Sequence, residues 1–392
     1  MRIAHVATTI SLNQIVLNQM VYQRQQGHEV VAMGPDDEWA EGIRARGIPL
    51  VHVPFRRHDL PATMLAALET WATSLWRRFD VVHTHNALPG VMGRIAGRLA
   101  GVPCVVHTWH SWPARLPRPL HIAVGFRLLE PVATRLAHAV LFLNPDDMAV
   151  WSEIKGVSKR KARLIGNGIN VREFQQRVRP DARKRVRAEL GIPDDAYVLV
   201  KVARMEHPRK GHVFFLEGVQ KFVQRTRRKV VVLLVGLGDG EPAIRAAADR
   251  LGLQQIVRFT GYRQDVPDVL AASDLSVLTS PFEGVPRALM ESMAVGVPVL
   301  GTDVPGTRML VRSGESGLLV RHGDVEELAF GLRTLSDDPA LAAALARNGR
   351  ARVEASFNEP EVAERVLRVY EHVLKGGRDS LPEFNVLEPA GQ

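Results

Sequence analysis

Residues 274–298 read Asp274-Leu-Ser-Val-Leu-Thr-Ser280 and then Pro281-Phe-Glu-Gly-Val-Pro-Arg-Ala-Leu-Met-Glu-Ser-Met-Ala-Val-Gly-Val-Pro298, and this stretch decides the fold. The first run is short and mainly apolar, and reads as a buried parallel strand. A Gly-Val-Pro turn and a helical stretch follow, and Val297-Pro-Val-Leu300 repeats the strand signature. The result is a βαβ unit whose turn lies at the carboxyl end of its first strand, where open α/β sheets bind ligands. Pro286 is expected in the first helical turn, where its missing N–H costs nothing. The amides of Gly284 and Val285 then face whatever sits above the helix, and an anionic or hydroxyl-rich ligand suits them. Glu283 falls in the loop and Glu291 inside the helix.

The same alternation extends through the chain. Strand-like runs occur at 3–6, 30–33, 51–53, 81–83, 104–107 and 139–143, and again at 198–203, 230–235, 257–259, 275–279 and 297–301, with helical patterns between them. Two successive sets of this kind predict two doubly wound parallel sheets. The boundary falls near 167–180, where Arg163-Leu-Ile165 runs into Gly166-Asn-Gly168. The expected organisation is a first domain over 1–168, a second over 169–359, a final amphipathic helix over 360–375 packed back on the first domain, and a flexible tail over 376–392. Val362, Val366, Val369 and Val373 form the apolar face of that helix.

The chain has 392 residues, 46% apolar and 24% charged, which describes a globular protein and excludes a disordered one. No apolar run reaches the roughly eighteen residues of a membrane span. Met1-Arg-Ile-Ala-His-Val6 reads as a first strand and lacks the features of a signal peptide. The single cysteine, Cys104, lies in an apolar run, so no internal disulfide forms and a packed, inert thiol is expected. A cytoplasmic location follows as an expectation. The net charge is +9, and 19 of the basic residues face 12 acidic ones in 1–168, against 32 and 30 in the remainder. That split fits an arginine-rich composition, or an anionic partner. The basic residues are scattered and no nucleic-acid motif is present, so no nucleic-acid partner is expected.

Four features beside the opening stretch carry chemistry. Lys201-Val-Ala-Arg204-Met-Glu-His-Pro-Arg-Lys210-Gly211 ends a strand in a basic loop, and Arg204 and Lys210 together can neutralise a diphosphate. Val235-Gly-Leu-Gly-Asp-Gly-Glu241 is a glycine turn, yet Gly236, Gly238 and Gly240 lack the dinucleotide-binding spacing. Tyr262 or Arg263, in Phe259-Thr-Gly-Tyr-Arg-Gln-Asp265, can edge a base. In the first half, His83-Thr-His85-Asn86 and His107-Thr-Trp-His-Ser-Trp112 end predicted strands. Read singly, a basic loop is solvated surface, a glycine turn ordinary and a lone histidine structural.

Taken in order, Arg204, Lys210, Gly236, Gly261, Glu283, Gly284, Glu291 and Gly296 closely resemble the nucleotide-sugar domain of the family 4 retaining glycosyltransferases, which have the GT-B fold of two Rossmann-like domains facing an interdomain cleft. Glu291-Ser-Met-Ala-Val-Gly-Val-Pro298, Gly317-Leu-Leu-Val320 and Gly166-Asn-Gly-Ile169 match too, and Gly27-His-Glu-Val30 and Asp80-Val-Val-His83 extend the likeness to the first half. The resemblance implies that Arg204 and Lys210 hold the donor diphosphate, that Glu283 binds hydroxyls of the donor sugar, that Gly284, Val285 and Pro286 offer the helix start, and that Glu291 binds the ribose. Gly236, Tyr262 and Arg263 join the donor site, and the catalytic set is Glu283, His110, Lys210 and Arg204. The first domain is expected to bind the acceptor, with His85 and His110 beside it. Many relatives carry a Gly-Gly loop after the first strand; here the stretch is Thr8-Thr-Ile-Ser-Leu-Asn-Gln14, leaving Ser11 and Asn13 to supply side-chain bonds. Asn170 stands where many relatives have Asp.

The expected activity is transfer of a sugar from a nucleoside-diphosphate sugar, UDP-linked by preference and GDP-linked as second choice, to a glycan or polyprenyl-linked acceptor in cell-surface polysaccharide or glycolipid synthesis. No cofactor and no metal are expected: acidic residues occur as adjacent pairs, such as Asp36-Asp37 and Asp146-Asp147, not as Asp-x-Asp. A sugar-nucleotide epimerase is the alternative. Met64, Leu65, Leu68, Trp71, Leu75 and Trp76 recur at helical spacing before Arg77-Arg78. That pattern suits peripheral contact with an anionic membrane at its cytoplasmic face, or a helix packed on the sheet through Met64, Leu68, Trp71 and Leu75, the reading preferred here.

Overall fold

The computed structural model describes residues 1–8, 12–55, 60–110, 120–377 and 381–386, with the backbone alone at 13, 14, 60–64, 75, 76, 88 and 120–127. The chain forms two compact units, Met1–Asn167 with Glu359–Val386, and Gly168–Asn358. The first holds strands β1 (Arg2–Val6), β2 (Glu29–Gly34), β3 (Leu50–His52), β4 (Val81–His85), β5 (Cys104–Trp109), β6 (Ala139–Phe142) and β7 (Ala162–Leu164). They form one sheet in the order β3-β2-β1-β4-β5-β6-β7, parallel at every pairing. The second unit repeats the design with β8 (Tyr197–Val202), β9 (Val230–Val235), β10 (Val257–Gly261), β11 (Leu275–Leu278), β12 (Val299–Thr302) and β13 (Leu318–Val320), in the order β10-β9-β8-β11-β12-β13. In each sheet the chain winds outward in one direction from the first strand and then in the other from its neighbour. The switch points, where ligands bind in such sheets, therefore lie at the carboxyl ends of β1 and β4 and of β8 and β11.

The strands are predominantly apolar because both faces are covered. On β8, Val198 and Val200 pack with Val186, Ile192 and Val269, while Leu199 packs on the other face with Phe215, Leu216 and Val219. β13, three residues long and at the sheet's edge, is absent from the strand-like runs read in the sequence. Cys104 is fully buried, and burial pushes its thiol up to about 12, the inert state expected of it.

The helix Glu359–Leu374 closes the first unit. Val366, Val369 and Tyr370 are fully buried. Asn18 Nδ2 donates to Glu359 at 2.7 Å, Tyr22 Oη to Glu364 at 3.2 Å, and an Arg365 guanidinium N–H to the Ile165 carbonyl at 3.0 Å. The tail expected to be flexible from 376 is pinned at 381–386: Leu381 and Val386 are buried, and Arg163 donates to the carbonyls of Leu381 and Pro382. The apolar face of the helix Leu60–Arg77 also differs from expectation. Among its described side chains Ala66, Thr70 and Ser74 are the buried ones, whereas Leu68 is 57% exposed and Leu65 49%. Helix packs on helix here, against Ala87–Leu99, and close approach selects small side chains over leucines. Met64, Leu75 and Trp76 have undescribed side chains, and Trp112 lies outside the described residues.

Candidate active site

At the carboxyl end of β8 the chain turns after Val202 into the basic loop, and at the end of β11 into Thr279, Ser280 and the Glu283 turn. Lys210 Nζ and Glu283 Oε1 meet at 2.8 Å, with 19% and 13% of their side chains exposed. They join two loops that are 73 residues apart in sequence. Burial raises the Glu283 pKa, but Lys210, Ser280 and Lys201 outweigh it, so the carboxyl titrates below its ordinary range. Thr279 Oγ1 donates to the Gly211 carbonyl at 2.7 Å, tying the same loops together one layer deeper.

Lys201, unremarked in the sequence beyond its place at the head of the basic loop, is fully buried on β8. Its Nζ donates to Thr279 Oγ1 at 2.9 Å and lies 5.9 Å from the Phe215 ring centroid. Burial first, and the charge of Lys210 second, push its pKa down to about 7 against the pull of Glu283. Neighbouring His212 is lowered to about 3 by burial and by the same two lysines. A cation inside an otherwise apolar strand was the available signal for this residue.

Arg204 pairs with Glu206 at 2.7 Å, and Glu206 also takes Arg209 at 3.1 Å. Arg204 remains 47% exposed. The glycine turn after β9 serves close packing of loop on loop. A Cβ at Gly236, whose φ is +138°, would stand 2.2 Å from the Ala203 carbonyl oxygen, and one at Gly238 2.5 Å from that of Met205. Tyr262 is 62% exposed at the end of β10. Arg263 is committed instead to Glu189 and to Asp265, reaching both oxygens of the latter at 2.8 Å, and these carboxylates raise its pKa. A guanidinium so engaged is poorly placed to edge a base as well.

Gly284, Val285 and Pro286 are buried. Pro286 has φ −76° and ψ 109° and precedes the helix Arg287–Val295, so it is the capping residue and not part of the first turn. The extended ψ keeps it outside the helix. Glu291 sits in that helix, partly buried. Gly306 presses on the motif from the next βα turn: a Cβ there would lie 2.0 Å from the Gly284 carbonyl oxygen.

In the first unit the switch point of the sheet carries a histidine cluster. His5 on β1 and His83 and His85 on β4 are fully buried, and His110 follows β5. His85 joins His5 at 3.0 Å and His110 at 3.0 Å. His83 joins Tyr370 Oη at 2.5 Å and Thr108 Oγ1 at 2.7 Å. Burial lowers the pKa of all four, to about 4 for His5 and His110. His5, His83 and His85 present ring nitrogens within 4.8 Å of one another, a spacing that can hold a metal. Both nitrogens of His83 are already hydrogen-bonded, however, which favours a hydrogen-bonded cluster over a ligand set. Sequence reasoning singled out His85 and His110; His5 and Tyr370 arrive through β1–β4 pairing and the returning helix. Ser11 lies outside the described residues, and Asn13 belongs to the turn Leu12–Val16 with its side chain undescribed.

Two parallel sheets of matching order, one with a cation–carboxylate pair at its switch point, define a doubly wound α/β protein of two Rossmann-like units. Residues 182–352 match the family described as Glycosyl transferases group 1, and residues 12–168 the Glycosyl transferase 4-like domain. The chain is 28% identical over 334 residues to the UDP-Gal:alpha-D-GlcNAc-diphosphoundecaprenol alpha-1,3-galactosyltransferase of Escherichia coli, covering 84% of each. It is 30% identical over 348 residues to a D-inositol 3-phosphate glycosyltransferase of Thermobispora bispora, covering 83% of this chain and 79% of the relative. Its fold matches the Anabaena protein HepE, crystallised with UDP and glucose, at a TM-score of 0.81 and 20% identity, covering 94% of this chain and 98% of that one. The chain belongs to the group 1 glycosyl transferases, family 4, and its fold is GT-B.

Proposed function

We propose that the chain is a retaining, metal-independent glycosyltransferase that moves a hexosyl group from a nucleoside-diphosphate sugar, UDP-linked by preference and GDP-linked as second choice, to a glycan or polyprenyl-linked acceptor of cell-surface polysaccharide or glycolipid. The observation that supports this most is the Lys210–Glu283 pair between the loops that follow β8 and β11. As the bond from the sugar to the β-phosphate breaks, negative charge builds on the leaving oxygen. Lys210 as a point charge, Arg204 as a planar fork and the helix start after Pro286 stabilise that charge. Transfer of Lys210 to the phosphate frees the Glu283 carboxylate to accept from sugar hydroxyls. Glu291 accepts from the ribose, Tyr262 covers the base, and Gly236 lets the backbone of its turn lie close beneath the diphosphate. The acceptor hydroxyl attacks on the face the diphosphate leaves, its proton passing to the leaving phosphate oxygen, so the anomeric configuration is kept. His110 contacts the transferred sugar, and His85, Ser11 and Asn13 stand on the acceptor side.

The E. coli relative is named for a UDP-sugar donor and a polyprenyl-diphosphate acceptor, and the Thermobispora relative for a phosphorylated inositol. A phosphate-bearing acceptor also suits the basic excess of residues 1–168. The test is release of nucleoside diphosphate from UDP-, GDP- and ADP-sugars, with and without a polyprenyl-diphosphate-sugar acceptor, with the product anomer read by NMR. Turnover unaffected by EDTA and a retained anomer are expected. No turnover by folded protein, or an inverted product, overturns the reading; epimer formation without acceptor would favour an epimerase.

Among the described residues no helix is long and apolar enough to cross a membrane. Peripheral contact is the form membrane association takes in this proposal. Leu65 and Leu68, Leu99, and Leu128, Leu129 and Val132 are exposed on the helices Leu60–Arg77, Ala87–Leu99 and Leu120–Leu136, each packed on the next. Such residues, with arginines nearby, fit an anionic bilayer surface.

A further inference from the structure

We propose that Gln23, His5 and His85 are positioning residues that act in series to keep the Nε2 of His110 protonated and its Nδ1 bare, so that His110 accepts a hydrogen bond from a ligand hydroxyl. The inference rests on the reading above that His110 meets the transferred sugar.

It follows from counting protons along one chain. Gln23 Oε1 lies 2.8 Å from His5 Nε2. A carbonyl oxygen only accepts, so His5 Nε2 carries the proton. A neutral imidazole has one N–H, which leaves His5 Nδ1 bare. His85 Nε2, 3.0 Å away, must then donate to it. His85 Nδ1 is bare in turn, and His110 Nε2 at 3.0 Å donates to it. The series ends at His110 Nδ1, a buried atom with no hydrogen-bond partner among the described residues. An unpaired buried acceptor is costly, and a hydroxyl donor arriving there relieves the cost. Neutrality of every ring is required, and burial supplies it: His5, His85 and His110 all titrate well below neutral pH.

The orientation of the Gln23 amide sets the direction of the whole series: its Oε1 faces His5 Nε2 at 2.8 Å, and its Nε2 is buried with no hydrogen-bond partner among the described residues. Gln23 and Tyr370 are fully buried, and Tyr370 is held by His83. A glutamine on the helix Leu17–Gln25 thus determines the tautomer of a ring three side chains away.

The test is nitrogen-15 NMR of the histidine side chains in the full chain at pH 8, with His110 assigned by its loss in His110→Ala. The wild type is expected to show His110 as the Nε2–H tautomer. In Gln23→Glu the new carboxylate draws a second proton onto His5, whose Nδ1 then donates to His85, and the series reverses. His85 and His110 become Nδ1–H tautomers, and kcat falls about tenfold or more with the donor KM little changed. In Gln23→Met no acceptor biases the series, and His110 shows both tautomers. Wild-type His110 protonated at Nδ1, or a His110 unmoved from the wild-type tautomer in both variants, overturns the proposal. If Gln23→Glu does not fold, the Gln23→Met spectrum decides alone. Failure of the underlying reading looks different: His110→Ala with full turnover removes His110 from the sugar, while the tautomers still report whether the series exists.

Discussion

Lys210 and Glu283 neutralise each other where a diphosphate and a sugar are proposed to bind, so each stands in for the other's ligand until the donor arrives. Removing either one leaves a largely buried charge without its partner. Glu283→Ala and Lys210→Ala are each expected to lower kcat/KM at least a hundredfold, about 2.7 kcal/mol, in a nucleoside-diphosphate release assay. An active double variant would remove both from the site. Lys201 beneath them has a pH signature. Its pKa is about 7 in the folded chain against an ordinary 10.5, so between those values the unfolded state binds the additional proton. Its contribution therefore makes stability rise with pH across that window, at up to about 1.4 kcal/mol per pH unit. Lys201→Met is expected to flatten that slope in denaturant titrations from pH 7 to 10. Glu283 and Lys210 were legible because each sits in a local pattern of turn and basic loop. Lys201 was not, because a lysine at a strand end reads as the start of a solvated loop until its burial is known. His85 and His110 likewise stood out, while His5 and Gln23 acquired meaning only through tertiary pairing.

The elements around the site are fitted by contact between backbones as much as by side chains. The helix Pro305–Leu310 begins against the carbonyls of Glu283 and Gly284, with no room for a Cβ at Gly306. Gly306→Ala should cost roughly 1–3 kcal/mol of stability and raise the donor KM more than it lowers kcat, since it shifts the turn that carries Glu283 while removing no functional group; an unchanged KM would refute this. The strands and their alternation with helices were readable because parallel strands buried on both faces leave continuous apolar runs. The face that the helix Leu60–Arg77 buries was not readable, because periodicity reveals an apolar stripe without saying what covers it. Ala66, Thr70 and Ser74 took the interior and left Leu65 and Leu68 outside. Leu65→Glu with Leu68→Glu is expected to leave donor hydrolysis intact and to reduce sedimentation with vesicles of phosphatidylglycerol and phosphatidylethanolamine severalfold. Equal sedimentation of wild type and variant would exclude this face as the membrane contact.

At the scale of the molecule, among the described residues, the first unit is discontinuous in sequence and the second is not. The first takes Met1–Asn167 and then waits for Glu359–Val386, whose helix covers the sheet with Val366, Val369 and Tyr370. A chain ending at Asn358 is therefore expected to lose amide-exchange protection in β1–β7 while keeping it in β8–β13; protection retained in both would show the helix to be dispensable. Synthesis runs from the amino end, and domains fold as they emerge. The unit whose strands leave the ribosome first is thus completed last, after the whole of the second unit has appeared. Until then its sheet presents the surface meant for the final helix, and Tyr370 is missing from His83. The nascent chain must pass through an interval in which one half is finished and the other, older half is still open to chaperones and proteases.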